Sequence, residues 1–104
     1  MSEGGPMPEL NPIVHGPLRL AVLSLLSAVD QADFKWLREK TRATDGNLGA
    51  NLSKLEQAGY ISVKKRFIQK KPNSVYTLTA SGRKALVDYV KALKTLLSTN
   101  MTNI

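Results

Sequence analysis

The sequence predicts a mainly helical α+β domain: four helices, the last one long, with a small β-hairpin between the third and the fourth. Three observations carry this. Leu48, Leu52 and Leu55 recur at helical spacing shortly after a break that follows Phe34 and Leu37. From Tyr60 the apolar period drops to two, and from Leu86 it returns to a three-four spacing that runs to Leu97. A chain of 104 residues, 42% of them hydrophobic, can build one such core but not two.

Residues 1–12 hold Gly4, Gly5, Pro6, Pro8 and Pro12 and few apolar side chains, so a mobile N-terminal tail is expected there. The domain proper is expected over residues 13–98, with a polar, frayed C-terminus at 99–104. The first helix begins between Ile13 and Leu18, with Pro17 in its first turn, where a missing N–H costs nothing. Leu18, Leu20, Ala21, Val22, Leu23, Leu25 and Leu26 make it apolar nearly all round, as in a helix buried on several sides. Residues 30–32 connect it onward, with room for a short extended piece, and Asp33 caps the second helix.

The second and third helices occupy residues 33–61 and meet at a corner placed at residues 40–44. Thr44 or Asp45 can accept from the free N–H groups that open the third helix, and Gly59 supplies the left-handed residue that closes it. Two helices joined in this way form a helix-turn-helix. The third keeps its leucines inward and turns Asn47, Ala50, Asn51, Ser53, Lys54 and Gln57 outward, amide and small side chains suited to the edges of base pairs. Gly46 and Gly49 lie inside it and each costs about 1 kcal/mol relative to alanine; either they let the backbone approach a groove or small residues are simply tolerated. Asp45 suits the positive end of the helix dipole but would repel a phosphate, so a capping role is simpler for it than contact with a cytosine.

In the hairpin, Ile61 and Val63 point inward and Ser62, Lys64 and Arg66 outward. A positively charged turn is expected at residues 69–73, then a strand at 74–78 with Tyr76 and Leu78 inward. Thr79 caps the last helix, whose stripe of Leu86, Tyr89, Val90, Leu93, Leu96 and Leu97 is longer than so small a domain can cover. A homodimer seam along that stripe is the expected remedy, the alternative being that the helix folds back on its own domain.

Charge is segregated as well. Of the net +7, all is concentrated between Glu56 and Asp88, where Lys64, Lys65, Arg66, Lys70, Lys71, Arg83 and Lys84 face no acidic residue. Such segregation points to a polyanion, with Lys64, Arg66, Lys70 and Lys71 on phosphates or in a minor groove.

Catalytic chemistry finds no support. There are no cysteines and one histidine, His15, which leaves no usual set of metal ligands and assigns His15 to capping or packing. The eight carboxylates are scattered, and no phosphate-binding or dinucleotide fingerprint accompanies the glycines. No enzyme activity, metal or cofactor is expected. Trp36 and Tyr60 are read as packing residues rather than as base-stacking platforms. The apolar run at residues 18–29 is interrupted by Arg19, Ser24 and Ser27 and falls short of the roughly 20 residues of a membrane span. With no secretion signal at the N-terminus, a cytoplasmic, nucleoid-associated location is expected.

Leu37, Thr41, Leu48, Leu52, Leu55, Glu56, Gly59 and Tyr60 fall where winged helix-turn-helix regulators have theirs. The later Tyr76-Thr77-Leu78-Thr79-Ala80-Ser81-Gly82-Arg83 resembles the "Y-x-L-T-x-x-G-R" that follows the wing in MarR-like and ArsR-like regulators. The resemblance covers residues 13–98 and is strongest to small stand-alone winged-helix proteins, mostly prokaryotic. It implies a dimeric DNA-binding transcription factor. Joined to the residue-level reading, it gives a sequence-specific regulator that binds double-stranded DNA as a homodimer, on an imperfect palindrome, with no effector specified. Two alternatives use the same fold: a non-specific architectural protein that coats DNA, and a protein-contact module whose basic face meets an acidic partner.

Overall fold

The computed structural model describes residues 7–101. Its elements are α1 (Pro17–Ser27), β1 (Ala32–Asp33), α2 (Phe34–Thr41), α3 (Asp45–Gln57), β2 (Ile61–Ile68), β3 (Lys71–Leu78) and α4 (Ala80–Asn100). The helices enclose one core in which Val14, Val22, Leu23, Leu26, Leu37, Leu48, Leu52, Leu55 and Ile61 are buried. Pro17 is at the start of α1, where its fixed φ suits the first turn.

The helix-turn-helix is tighter than its sequence suggests. Residues 40 and 41 remain in α2, and the corner contracts to Arg42-Ala43-Thr44. The Thr41 hydroxyl donates to the Leu37 carbonyl at 2.8 Å, so it back-bonds inside the helix instead of ending it. Arg42 ends α2 in the left-handed conformation, φ 60°, which costs an L-residue roughly 1–2 kcal/mol. Asp33 caps α2 as expected, its carboxylate accepting from the Trp36 N–H at 2.8 Å. Of the two candidate caps for α3, Thr44 takes the position and accepts from the Asn47 N–H at 3.1 Å. Gly59 turns left-handed after α3, φ 80°.

The hairpin departs from expectation at its tip. β2 and β3 pair in antiparallel register from Ile61↔Leu78 to Ile68↔Lys71, leaving only Gln69 and Lys70 to turn the chain, at φ 52° and 66°. Lys71, Pro72 and Asn73 therefore belong to the strand, and the five-residue turn expected there is corrected to two. Two successive left-handed residues match the twist of the flanking strands. In such a turn the flanking pair, Ile68 and Lys71, exchanges the ladder bonds, so Pro72 opposite Phe67 falls at a pair without them. The proline thus removes no bond between β2 and β3. The short extended piece becomes β1, which pairs Ala32↔Tyr76 and Asp33↔Val75 and makes a three-stranded antiparallel sheet in the order β1-β3-β2. Tyr76 and Leu78 pack on the core, and burial pushes the Tyr76 phenol above its ordinary pKa. Val75, on the other face between Asp33 and Lys64, is buried too.

Thr79 joins sheet and last helix. Its hydroxyl accepts from the Gly82 N–H at 2.9 Å and donates to the Gly59 carbonyl at 2.7 Å, while its N–H donates to the Tyr60 carbonyl at 3.1 Å. Gly82 is required by that closeness, because a Cβ there would lie 2.0 Å from the Tyr60 oxygen. α4 continues through Asn100. At the other end Leu10 packs on the core, and Asn11 accepts from the Ile13 N–H at 2.8 Å and donates to the Tyr60 hydroxyl at 2.9 Å. The expected tail is therefore tied down at its last residues; residues 1–6 and 102–104 lie outside the described residues. Among the described residues no helix is long and apolar enough to cross a membrane.

Candidate nucleic-acid interface

α3 presents the face that its spacing requires. With Leu48, Leu52 and Leu55 buried, Asn47, Ala50, Ser53, Lys54 and Gln57 are exposed. Gly46 and Gly49 have open space where a Cβ would stand, with nothing within 4 Å. Asn51 is the exception on this helix. It is half-buried, and its Oδ1 accepts from Nη1 of Arg19 at 2.7 Å while its Nδ2 donates to the Asn47 carbonyl at 2.8 Å. Asp45 does not cap α3 through its side chain. It pairs instead with Arg38 of α2 at 2.9 Å, an exposed bridge across the corner.

Beside α3 the hairpin carries Lys64, Lys65, Arg66, Lys70 and Lys71, all exposed. Among the described residues the only ion pairs are Arg38–Asp45 and Lys84–Asp88, so none of these five cations is neutralised by a carboxylate. Arg66 donates through Nε to Asn73 Oδ1 at 3.0 Å, and Asn73 donates to Asp33 Oδ2 at 3.4 Å, which links the wing to the cap of α2. Lys84 is less available than its place in the basic stretch implied, because it bonds Asp88 at 2.7 Å and thereby holds that carboxyl below its ordinary pKa. Near the hairpin tip Phe67 is 76% exposed and Ile68 45% exposed. The alternation that sent Ile61 and Val63 inward gave no warning of this, since β2 runs past the end of the core.

Two of the remaining aromatics pack as expected. Trp36 and Tyr60 lie against the core, with Lys40 over the Trp36 ring at 5.5 Å. His15 places Nδ1 2.8 Å from the Tyr89 hydroxyl.

The stripe on α4 divides between two environments. Tyr89 is 5% exposed and belongs to the domain's own core, and Leu86 and Leu93 pack partly against it. Val90, Leu97, Val87 and Met101 are exposed, with Leu96 between these extremes. Tyr89, expected in the seam between chains, is occupied within this one: it lies in the core and its hydroxyl meets His15 Nδ1. Val87 and Met101, outside the sequence stripe, join the uncovered apolar surface.

Known proteins share this architecture. A solved transcriptional regulator homologue from Pyrococcus horikoshii OT3 superposes with a TM-score of 0.77 at 24% identity, over 88% of this chain and 89% of that one. The transcriptional repressor CouR, solved bound to a 23-mer DNA duplex, gives 0.72 at 22% identity, over 88% and 64% of the two chains. A MarR-family regulator from Silicibacter pomeroyi gives 0.62 at 18% identity, over 88% and 61%. In sequence, the chain is 35% identical over 78 residues to an uncharacterized protein of Methanocaldococcus jannaschii, covering 75% of this chain and 85% of that one. The model of the winged helix DNA-binding domain matches residues 18–97. With its exposed α3 face, its basic hairpin and the fold of transcriptional regulators, the chain belongs to the winged helix DNA-binding domain family.

Proposed function

We propose that the protein is a sequence-specific regulator that binds double-stranded DNA as a homodimer, with α3 in the major groove and the β2–β3 wing on the flanking backbone or minor groove. The observation that carries this reading is the pairing of an exposed, amide-bearing helix face with five exposed, carboxylate-free cations on the adjacent hairpin. Asn47, Ala50, Ser53 and Lys54 meet base edges, while Lys64, Arg66, Lys70 and Lys71 neutralise phosphates.

The dimer rests on α4. None of its residues after Tyr89 is buried, although the helix continues for more than two turns to Asn100. A helical segment that short is marginal in water unless something packs on it. A second copy related by a two-fold axis would cover Val90, Leu97 and the free sides of Leu86, Leu93 and Leu96, and would place two α3 helices on one side of a duplex.

Competition between a duplex selected from a random pool and a scrambled duplex tests the reading. Sequence-specific binding predicts a preference of at least about 10³ at physiological salt. Equal affinities would indicate a DNA-coating protein, and negligible affinity for both a protein-contact module.

A further inference from the structure

Arg19 comes from α1, yet its guanidinium lies on the flank of α3. Nε donates to the Ile13 carbonyl, Nη2 to the Pro12 carbonyl at 3.3 Å and Nη1 to Asn51 Oδ1 at 2.7 Å. All three acceptors are neutral oxygens, and no carboxylate among the described residues pairs with Arg19. A guanidinium has five N–H donors. One on each terminal nitrogen is therefore unspent, and the charge is undiminished. The fork borders a shallow cleft lined by Gly16, Pro17, Leu18, Asn47 and Asn51. Gly16 leaves space for it, since a Cβ there would stand 2.6 Å from Nη2.

Asn51 is fixed by its partners. Its Nδ2 faces the Asn47 carbonyl, which can only accept, and its Oδ1 faces Arg19, which can only donate; turning the amide over would oppose like groups at both ends. Nδ2 also approaches Asn47 Oδ1 at 3.1 Å. Both Nδ2 hydrogens are directed at Asn47, so Asn51 has no donor to spare for the two-bond contact with an adenine edge unless Asn47 gives one up. Both residues stand toward the side of α3 rather than at the centre of its outward face, where Ala50 and Ser53 are. The side of a helix lying in the major groove meets the groove wall, which is phosphate.

We infer that Arg19 binds a DNA phosphate at the wall of the groove, and that Asn51 is a positioning residue that holds Arg19 rather than a reader of bases. The inference rests on the DNA-binding reading above. It is tested by titrating wild type, Arg19→Gln, Arg19→Lys and Asn51→Ala against a selected and a random duplex over a range of salt, with thermal melts to establish folding.

Arg19→Gln is expected to flatten the log–log salt dependence by about 0.9 on both duplexes alike, the effect of one lost phosphate contact. Arg19→Lys keeps the charge but cannot span Pro12, Asn51 and a phosphate together, so it should weaken both duplexes about tenfold and leave their ratio intact. Asn51→Ala should also weaken both equally. An unchanged slope in a folded Arg19→Gln protein overturns the inference, as does undiminished binding by Arg19→Lys, which still decides the matter where the glutamine variant does not fold. Loss of discrimination at one base pair in Asn51→Ala returns Asn51 to base reading and overturns the inference alone. Absence of duplex binding by the wild type overturns the DNA-binding reading itself, and the inference with it.

Discussion

Replacing Gly82 with alanine puts a methyl group where α4 starts against the end of α3. The new Cβ would sit 2.0 Å from the Tyr60 carbonyl oxygen, 2.8 Å from its carbon and 2.9 Å from Leu78 Cδ1. Leu78 can rotate away; the carbonyl cannot, because it accepts the Thr79 N–H at 3.1 Å and thereby fixes the approach of α4. Restoring van der Waals separation requires α4 to back off by about 1.5 Å. Overpacking of this kind costs typically about 1–3 kcal/mol, and the lost hydrogen bond adds about 1 kcal/mol. Better helix propensity returns at most about 1 kcal/mol. The net loss is about 1–3 kcal/mol, or roughly 10 °C in Tm for a domain of this size. Urea unfolding and a thermal melt measure it. A Gly82→Ala protein as stable as the wild type would refute the claim that the close approach of α4 to Tyr60 demands glycine.

Gly46→Ala and Gly49→Ala are expected to do the opposite, each raising stability by up to about 1 kcal/mol because the added methyl meets nothing within 4 Å; if backbone approach to the groove is their purpose, duplex affinity falls as Tm rises, and unchanged affinity assigns them to tolerance. Changing Lys70 and Lys71 together to glutamine should weaken binding to all duplexes similarly and flatten the salt dependence by about 0.9 per lost phosphate contact, which a salt titration reads directly. Leu93→Asp would bury a charge in the proposed seam, a cost that the chains avoid most easily by separating. Sedimentation should therefore show monomer for the variant and dimer for the wild type, with weak half-site binding retained by the folded monomer.

The sequence revealed best what repeats along the chain. Leu48, Leu52 and Leu55 located α3 and its outward face, Asp33, Thr79 and Gly59 marked helix ends, and the drop to a period of two marked β2. The tip of the hairpin was illegible for a definite reason. Two-residue turns of this kind advertise themselves through asparagine and glycine, and Gln69-Lys70 carries neither. β1, at two residues, is too short to show a period at all. The burial of Tyr89 in the chain's own core was not legible, because helical spacing identifies an apolar stripe without saying which side of it faces that core. Arg19 lay in a run read as buried helix, 32 positions from Asn51, and nothing local signals a contact across that distance. The same holds for Asp45, whose partner Arg38 stands on the other side of the corner.

In the proposed complex two copies of α3, related by a two-fold axis through α4, read one duplex together. Repeated selection of bound duplexes from a random pool, followed by sequencing, tests it most directly. An imperfect palindrome is expected, its half-sites centred about 34 Å apart, or a multiple of that, on one side of the helix. Recovery of a single unpaired half-site, or of no common sequence, would contradict it.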